Sequence, residues 1–336
     1  MFERYSSEAK FALKSVRTAA ELCRQIQVEM VSPAITKADR SPVTVADFAS
    51  QALVGKMLMQ TFRRDRLVAE EDSQTLRDDA DGATLARVTN YIQRIFPDAD
   101  REQVCTWIDH GTQDPGDRFW TCDPIDGTKG FLRGDQYVTA LALIEQGQVV
   151  VAALGCPNLD RGMQPNVGGE GSAVVAVRGQ GCFSFGMGSD DPVRLSVSDR
   201  SETRTARVLR SFEADHTHEG KMAALIEILG TQSLPVLMDS QAKYAVLAAG
   251  GGELLFRLLS PENPNYKEKI WDQAAGSLVV EEAGGRVSDL QGNALDFTQG
   301  RSLRKNLGVL ASNGRLHEVA LEALRRVGAD RRPENL

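Results

Sequence analysis

Apolar positions recur at helical spacing through residues 8–29, where Phe11, Val16, Ala19, Ala20, Cys23 and Ile26 share one face; this predicts an amphipathic helix. A polar, Pro-punctuated, extended stretch from Ile35 to Val45 follows, and Asp47 opens a second predicted helix over Phe48 to about Phe62. An Asp in that place is first of all an N-cap. Arg66–Ala69 predicts a short buried strand that runs straight into Glu70, Glu71 and Asp72. Residues 73–118 are charged, with helical patterns near Thr84–Phe96 and Glu102–His110 and a polar loop from Gly111. Phe119–Cys122 predicts another short buried strand, ending abruptly at Asp123.

Beyond it, Val138–Glu145 and Val149–Leu154 predict two strands joined at Gln146-Gly147-Gln148. Cys156–Ser172 is rich in Pro, Gly and Asn and predicts a long mobile loop; Ala173–Val177, Cys182–Phe185 and Val193–Val197 predict further strands. From about Ser198 the pattern becomes alternating: strands at 207–212, 235–238, 253–258, 286–289 and 307–311, and helices at 220–229, 241–248, 272–283 and 315–327. The fold class expected is therefore α+β for an N-terminal domain, residues 1–195, and α/β for a C-terminal domain, residues 196–336, with the site between them.

The stretch with most chemistry is Asp123-Pro124-Ile125-Asp126-Gly127-Thr128. Pro124 fixes φ between two carboxylates and Gly127 permits a sharp turn after them. A strand end followed by a tight turn can aim Asp123, Asp126 and the Ile125 carbonyl at one point, an all-oxygen, doubly negative donor set of the kind Mg²⁺ prefers. The amides of Gly127 and Thr128 follow at once, and a helix starting there makes them an anion site. Metal ligands beside phosphate-binding amides are the parts of metal-assisted phosphoryl transfer to water. The alternative reading is an ordinary Asp-Pro turn followed by a solvated Asp-Gly. Glu70-Glu71-Asp72 repeats the arrangement of acids at a strand end, and Asp272 at a predicted helix start is either a cap or a carboxylate aimed beyond the helix.

Composition narrows the partners. The 336 residues are 42% hydrophobic and 25% charged, with a net charge of −7, so a soluble globular chain is expected, without the broad basic footprint of a nucleic-acid binder. No apolar run approaches the roughly 18 residues that span a bilayer. Neither a signal peptide nor a transit peptide is evident at the N-terminus, and five widely spaced cysteines without a C-x-x-C pair fit reduced thiols; a cytoplasmic location is expected, or an organelle if a transit peptide has been removed.

Ser41-Pro42-Val43-Thr44-Val45-Ala46-Asp47, Val68-Ala69-Glu70-Glu71-Asp72, Asp123-Pro124-Ile125-Asp126-Gly127-Thr128, Trp271-Asp272 and Glu282-Ala283-Gly284-Gly285 together resemble the lithium-sensitive, magnesium-dependent phosphatases that include inositol monophosphatases, fructose-1,6-bisphosphatases and 3′(2′),5′-bisphosphate nucleotidases. The resemblance spans residues 8–327 and is greatest to the nucleotidases, through Asp126–Gly134, Asp239-Ser240-Gln241-Ala242-Lys243-Tyr244 and Tyr266–Asp272. It implies a layered αβαβα sandwich and hydrolysis of 3′-phosphoadenosine 5′-phosphate, or its sulfated form; a monomer is expected. It also implies that Glu70, Asp123 and the Ile125 carbonyl hold one Mg²⁺ and that Asp123, Asp126 and Asp272 hold a second. Asp47 would activate water through Thr128, with a third, weaker Mg²⁺ allowed for. Gly127 and Thr128 would steady the scissile phosphate, and His216, Ser240, Lys243 and Arg257 would contact the nucleotide and its second phosphate. Arg257 lies in an apolar strand, where a charge needs a partner; a ligand phosphate, or solvent at a sheet edge, would serve. Gln273 stands where relatives often carry His. The rival readings are an inositol phosphate phosphatase of the same superfamily and a silent nucleotide-binding regulator, which should have lost a metal carboxylate.

Overall fold

The computed structural model describes residues 2–29, 35–36, 42–43, 45–79, 82–160, 164–212 and 219–332. Two sheets organise them. In the first, seven strands lie in the order Val193–Arg194, Gly181–Gly186, Ser172–Val177, Gln148–Cys156, Val138–Glu145, Arg118–Asp126 and Arg66–Ala69. Only the last pair is parallel. In the second, five strands follow the order Val236–Leu237, Val208–Arg210, Leu254–Arg257, Val309–Ser312 and Arg286–Ser288. Its first three strands are mutually parallel and the remaining pairings antiparallel.

Helices Ser6–Glu29 and Val45–Thr61 cover the outer face of the first sheet. Helices Ala242–Ala248 and Ala274–Glu282 fill the space between the sheets, and Glu219–Leu229 and His317–Arg326 cover the far side of the second. The order is α-β-α-β-α, as the resemblance implies. It also explains the apolar patterns. The outer Ser6–Glu29 helix is amphipathic, whereas every residue of Ala242–Ala248 is buried because that helix is covered on both sides. The core divides accordingly into three apolar clusters, one for each helix layer with the sheet surface it covers.

Several boundaries differ from the sequence reading. The strand expected to stop at Cys122 continues to Asp126, with an irregular register against Val138–Glu145 between Asp123 and Asp126. Pro124 has no N–H for the ladder, and its carbonyl instead accepts from Ser50 Oγ at 3.0 Å and Thr139 Oγ1 at 2.9 Å. The two acids therefore sit on a bulged strand and not in a turn beyond it. Asp47 is no cap: its helix begins at Val45, which places it inside the first turn. Asp272 precedes the cap of its helix, which is Gln273. The Cys156–Ser172 segment is partly ordered by pairing of Leu159–Asp160 with Gln164–Pro165. Arg257 is on an inner strand, between Val208–Arg210 and Val309–Ser312, so the edge-strand explanation fails.

Candidate active site

A cavity of about 220 Å³ opens where the Arg118–Asp126 strand meets the loops of the second sheet. Glu70, Asp123, Ile125, Asp126 and Asp272 line it, with Gly127, Thr128, Lys129, Ser240, Lys243 and Arg257. Eleven expected or quoted positions, more than two hundred residues apart at the extremes, thus converge. Asp47 is buried behind them, and His216 lies outside the described residues.

The chain places each acid by a separate device. Parallel pairing matches Ala69 with Cys122, so Glu70 emerges beside Asp123. Gln51, on the same helix as Asp47, holds that strand end: its Nε2 donates to the Glu71 carbonyl at 2.6 Å and its Oε1 accepts from Glu71 N at 2.9 Å. Ser50, one residue away, is the group that pins Pro124. A single helix therefore positions both acid-bearing strand ends. Gly127 then takes φ 90°, where a Cβ would sit 2.9 Å from the Ser240 Cβ, and starts the short helix Thr128–Arg133. The Thr128 hydroxyl donates to the Ile125 carbonyl at 3.2 Å.

From the second sheet, Gln241 N donates to Asp126 Oδ2 at 2.6 Å, and Tyr266 OH approaches Asp272 Oδ2 at 3.5 Å. Arg301 reaches across to donate to the Ala69 carbonyl, and its guanidinium lies 5.0 Å from the Trp271 ring centre. Arg257 Nη2 pairs with the buried Glu268 at 3.0 Å, an in-chain partner beside the cavity that the sequence did not offer. Gln273 also donates to Glu268, at 2.7 Å, and accepts from Tyr244 OH at 2.5 Å.

The electrostatics are divided. Asp123 is 3% exposed and, among the described residues, its Oδ1 has no hydrogen-bond partner. Burial, followed by the charges of Glu70, Asp126, Asp272 and Asp47, drives its pKa well above the carboxylate range. Asp272 is raised in the same way by burial, against the pull of Arg257. Asp126 is raised by burial, with Lys243, Arg257 and the Gln241 hydrogen bond opposing. Opposite, burial and then Arg257 lower Lys243 to about 8, although Asp126 and Asp239 work the other way. Burial also works against the Arg257 charge, but Glu268 outweighs it and the guanidinium stays protonated.

An orphaned buried carboxylate oxygen among three more acids and a peptide carbonyl is a donor set that fits a hard divalent cation. Among the described residues, no trio of acidic, thiol or imidazole groups is already drawn together tightly enough to hold an ion. Like charges without a counter-ion are expected to stand apart in this way.

The inositol monophosphatase family pattern matches residues 39–329. The chain belongs to the inositol monophosphatase family. Curated relatives include the 3′(2′),5′-bisphosphate nucleotidases of Schizosaccharomyces pombe, 41% identical over 95% of each chain, and of Arabidopsis thaliana, 38% identical over 96% of each. Among solved structures, an IMPase from Thermotoga maritima superposes with a TM-score of 0.67 over 96% of this chain and 98% of its own, at 21% identity, which supports the fold. CysQ from Bacteroides thetaiotaomicron, described as a bacterial member of this family, gives 0.58 over 93% and 98%, at 18% identity. The protein is thus a phosphatase of this family.

Ser211, Asp239 and Tyr266 also line the cavity, and sequence reading gave them no role. Asp239 and Tyr266 stand inside runs already quoted for the resemblance, which was the signal available. Ser211, whose Oγ accepts from Lys243 Nζ at 3.0 Å, opens the run Ser211–His216 in which His216 was singled out.

Proposed function

We propose that the chain is a Mg²⁺-dependent 3′(2′),5′-bisphosphate nucleotidase that removes the 3′(2′)-phosphate of 3′-phosphoadenosine 5′-phosphate, and of its sulfated form, using water. The observation that carries this reading is one cavity lined both by four carboxylates, Glu70, Asp123, Asp126 and Asp272, and by two cations, Lys243 and Arg257. A bisphosphate has one phosphate for each. The names of the full-length relatives support the same substrate class.

In this reading Glu70, Asp123 and the Ile125 carbonyl would hold one Mg²⁺, and Asp123, Asp126 and Asp272 would hold a second. Magnesium held there would supply neutralisation of phosphate charge and acidification of a water. Asp47 accepts a proton relayed through Thr128, whose own hydroxyl is too weak an acid to act alone. The Gly127 and Thr128 amides steady the phosphate being cleaved. Ser240, Lys243, Arg257 and His216 take the nucleoside and its remaining phosphate. Glu268 orients Arg257 for that contact, so its ion pair is compatible with the role. The enzyme acts as a monomer of two units divided near residue 195, in a reducing compartment. Among the described residues no helix is long and apolar enough to cross a membrane.

Phosphate release from 3′-phosphoadenosine 5′-phosphate and from inositol 1-phosphate, with Mg²⁺ and with EDTA, tests the proposal. Strong preference for the bisphosphate, abolished by EDTA, is expected. Equal rates on both substrates would remove the nucleotidase assignment, and EDTA-resistant turnover the metal assignment.

A further inference from the structure

Asp126 and Asp272 belong to different layers: the first ends a strand of the seven-stranded sheet, the second precedes the helix Ala274–Glu282 between the sheets. Among the described residues no strand pairing links their segments, but one residue bridges them, its main chain on one side and its side chain on the other. Gln241 is 2% exposed; its N–H donates to Asp126 Oδ2 at 2.6 Å, its Nε2 donates to the Trp271 carbonyl at 3.0 Å, and its Oε1 accepts from Gly276 N at 3.0 Å. The amide is thus spent on both sides of Asp272, with neither end left to solvent. Its place is fixed on the other side as well. The preceding Ser240 is held at φ 65°, a left-handed conformation uncommon for a residue with a side chain, and its Oγ accepts from Ala242 N at 3.2 Å. Ser240 also packs so closely on Gly127 that a Cβ there would lie 2.9 Å from its own.

We propose that Gln241 is a positioning residue that sets the separation of Asp126 and Asp272 and thereby prepays the approach of two like charges to one cation. It takes no part in the reaction itself. The inference rests on the reading that these two acids share a Mg²⁺. A buried amide satisfied at both ends is a stiff link, and groups one step behind metal ligands typically change metal affinity by about 10–100-fold when removed.

The test uses Gln241→Met, which keeps the length and loses both side-chain hydrogen bonds, and Gln241→Asn, which keeps a buried amide too short to span both partners. The second serves if the apolar variant does not fold. Mg²⁺ is titrated into substrate-free protein by calorimetry, and KM, kcat and a melting curve are taken alongside. Mg²⁺ affinity is expected to fall about tenfold or more, with KM for the bisphosphate at saturating Mg²⁺ within about twofold of wild type. A lowered melting temperature with unchanged Mg²⁺ affinity would show a merely structural residue and overturn the inference. Wild-type protein that takes up no Mg²⁺ would instead remove the metal reading, and this inference with it.

Discussion

Asp123 and Glu253 are both buried carboxylates, and the protein treats them in opposite ways. Glu253 accepts from Arg207 N at 2.6 Å, from Arg207 Nη2 at 2.6 Å and from Ser198 Oγ at 2.8 Å. Burial alone would raise its pKa, but the Arg207 hydrogen bonds prevail and lower it. Asp123 has an oxygen with no hydrogen-bond partner among the described residues and a pKa driven well upward by burial and four neighbouring acids. The charge of Glu253 is compensated within the chain and belongs to the architecture. Among the described residues, Asp123 has no comparable compensation. A buried acid therefore marks a site when its partners are missing, since burial by itself is common to both.

The sharpest way to break this contrast is to neutralise each acid in turn. Asp123→Asn is expected to reduce turnover by at least about a thousandfold, the scale of losing a central catalytic group, while the melting temperature holds or rises because repulsion is relieved. Mg²⁺ should raise the melting temperature of the wild type and not of this variant. Near-normal activity at saturating Mg²⁺ would sink the assignment. Glu253→Gln should do the reverse: a stability loss of about 3 kcal/mol from a broken buried pair, read in denaturant melts, with kcat/KM and Mg²⁺ response unchanged. A loss of activity in the folded variant would erase the distinction.

Arg257 sharpens the comparison, because it is both compensated and exposed to the cavity. Arg257→Ala should cut kcat/KM for the bisphosphate by roughly ten- to a hundredfold, the worth of one charge-assisted contact, and leave slow hydrolysis of inositol 1-phosphate nearly unaffected. Because Glu268 then loses its cation, some stability should be lost as well. Equal losses on the two substrates would assign Arg257 to the architecture.

The smallest effect expected is confined to acid pH. His317 is buried between Ser288 Oγ and Ser312 Oγ, each 2.9 Å from a ring nitrogen. Burial, then Arg286, lowers its pKa to about 4 from the ordinary 6.5. The folded state therefore favours the neutral ring. Its contribution is complete above pH 6.5 and is lost as pH falls toward 4, costing about 2 kcal/mol at pH 5. Melting temperature against pH should flatten over that window in His317→Gln, and an unchanged slope would place the acid sensitivity elsewhere.

Much of this was legible along the chain. The two helices covering the first sheet, the alternating second half and most strands follow from local periodicity, because a face that must be buried imposes its period on the residues that form it. The carboxylates Glu70, Asp123, Asp126 and Asp272 were recognised through their local runs, and the structure gathers them around one cavity. Local pattern failed where the backbone answered to a distant neighbour. The strand through Asp123 and Asp126 continues because Ser50 and Thr139 hold the Pro124 carbonyl that the ladder cannot use.

By itself, then, the sequence determined the layers, the family and the residue types available for chemistry. The tertiary structure alone decided how their charges are answered: that Arg257 pairs with Glu268, that Arg301 reaches the Ala69 carbonyl 232 positions away, and that Gln241 reaches Asp126 across 115. Such contacts depend on sheet register and on the stacking of one layer against the next. A hydrogen bond has the same local signature whether its partner lies four residues away or two hundred, so no period in the sequence encodes it.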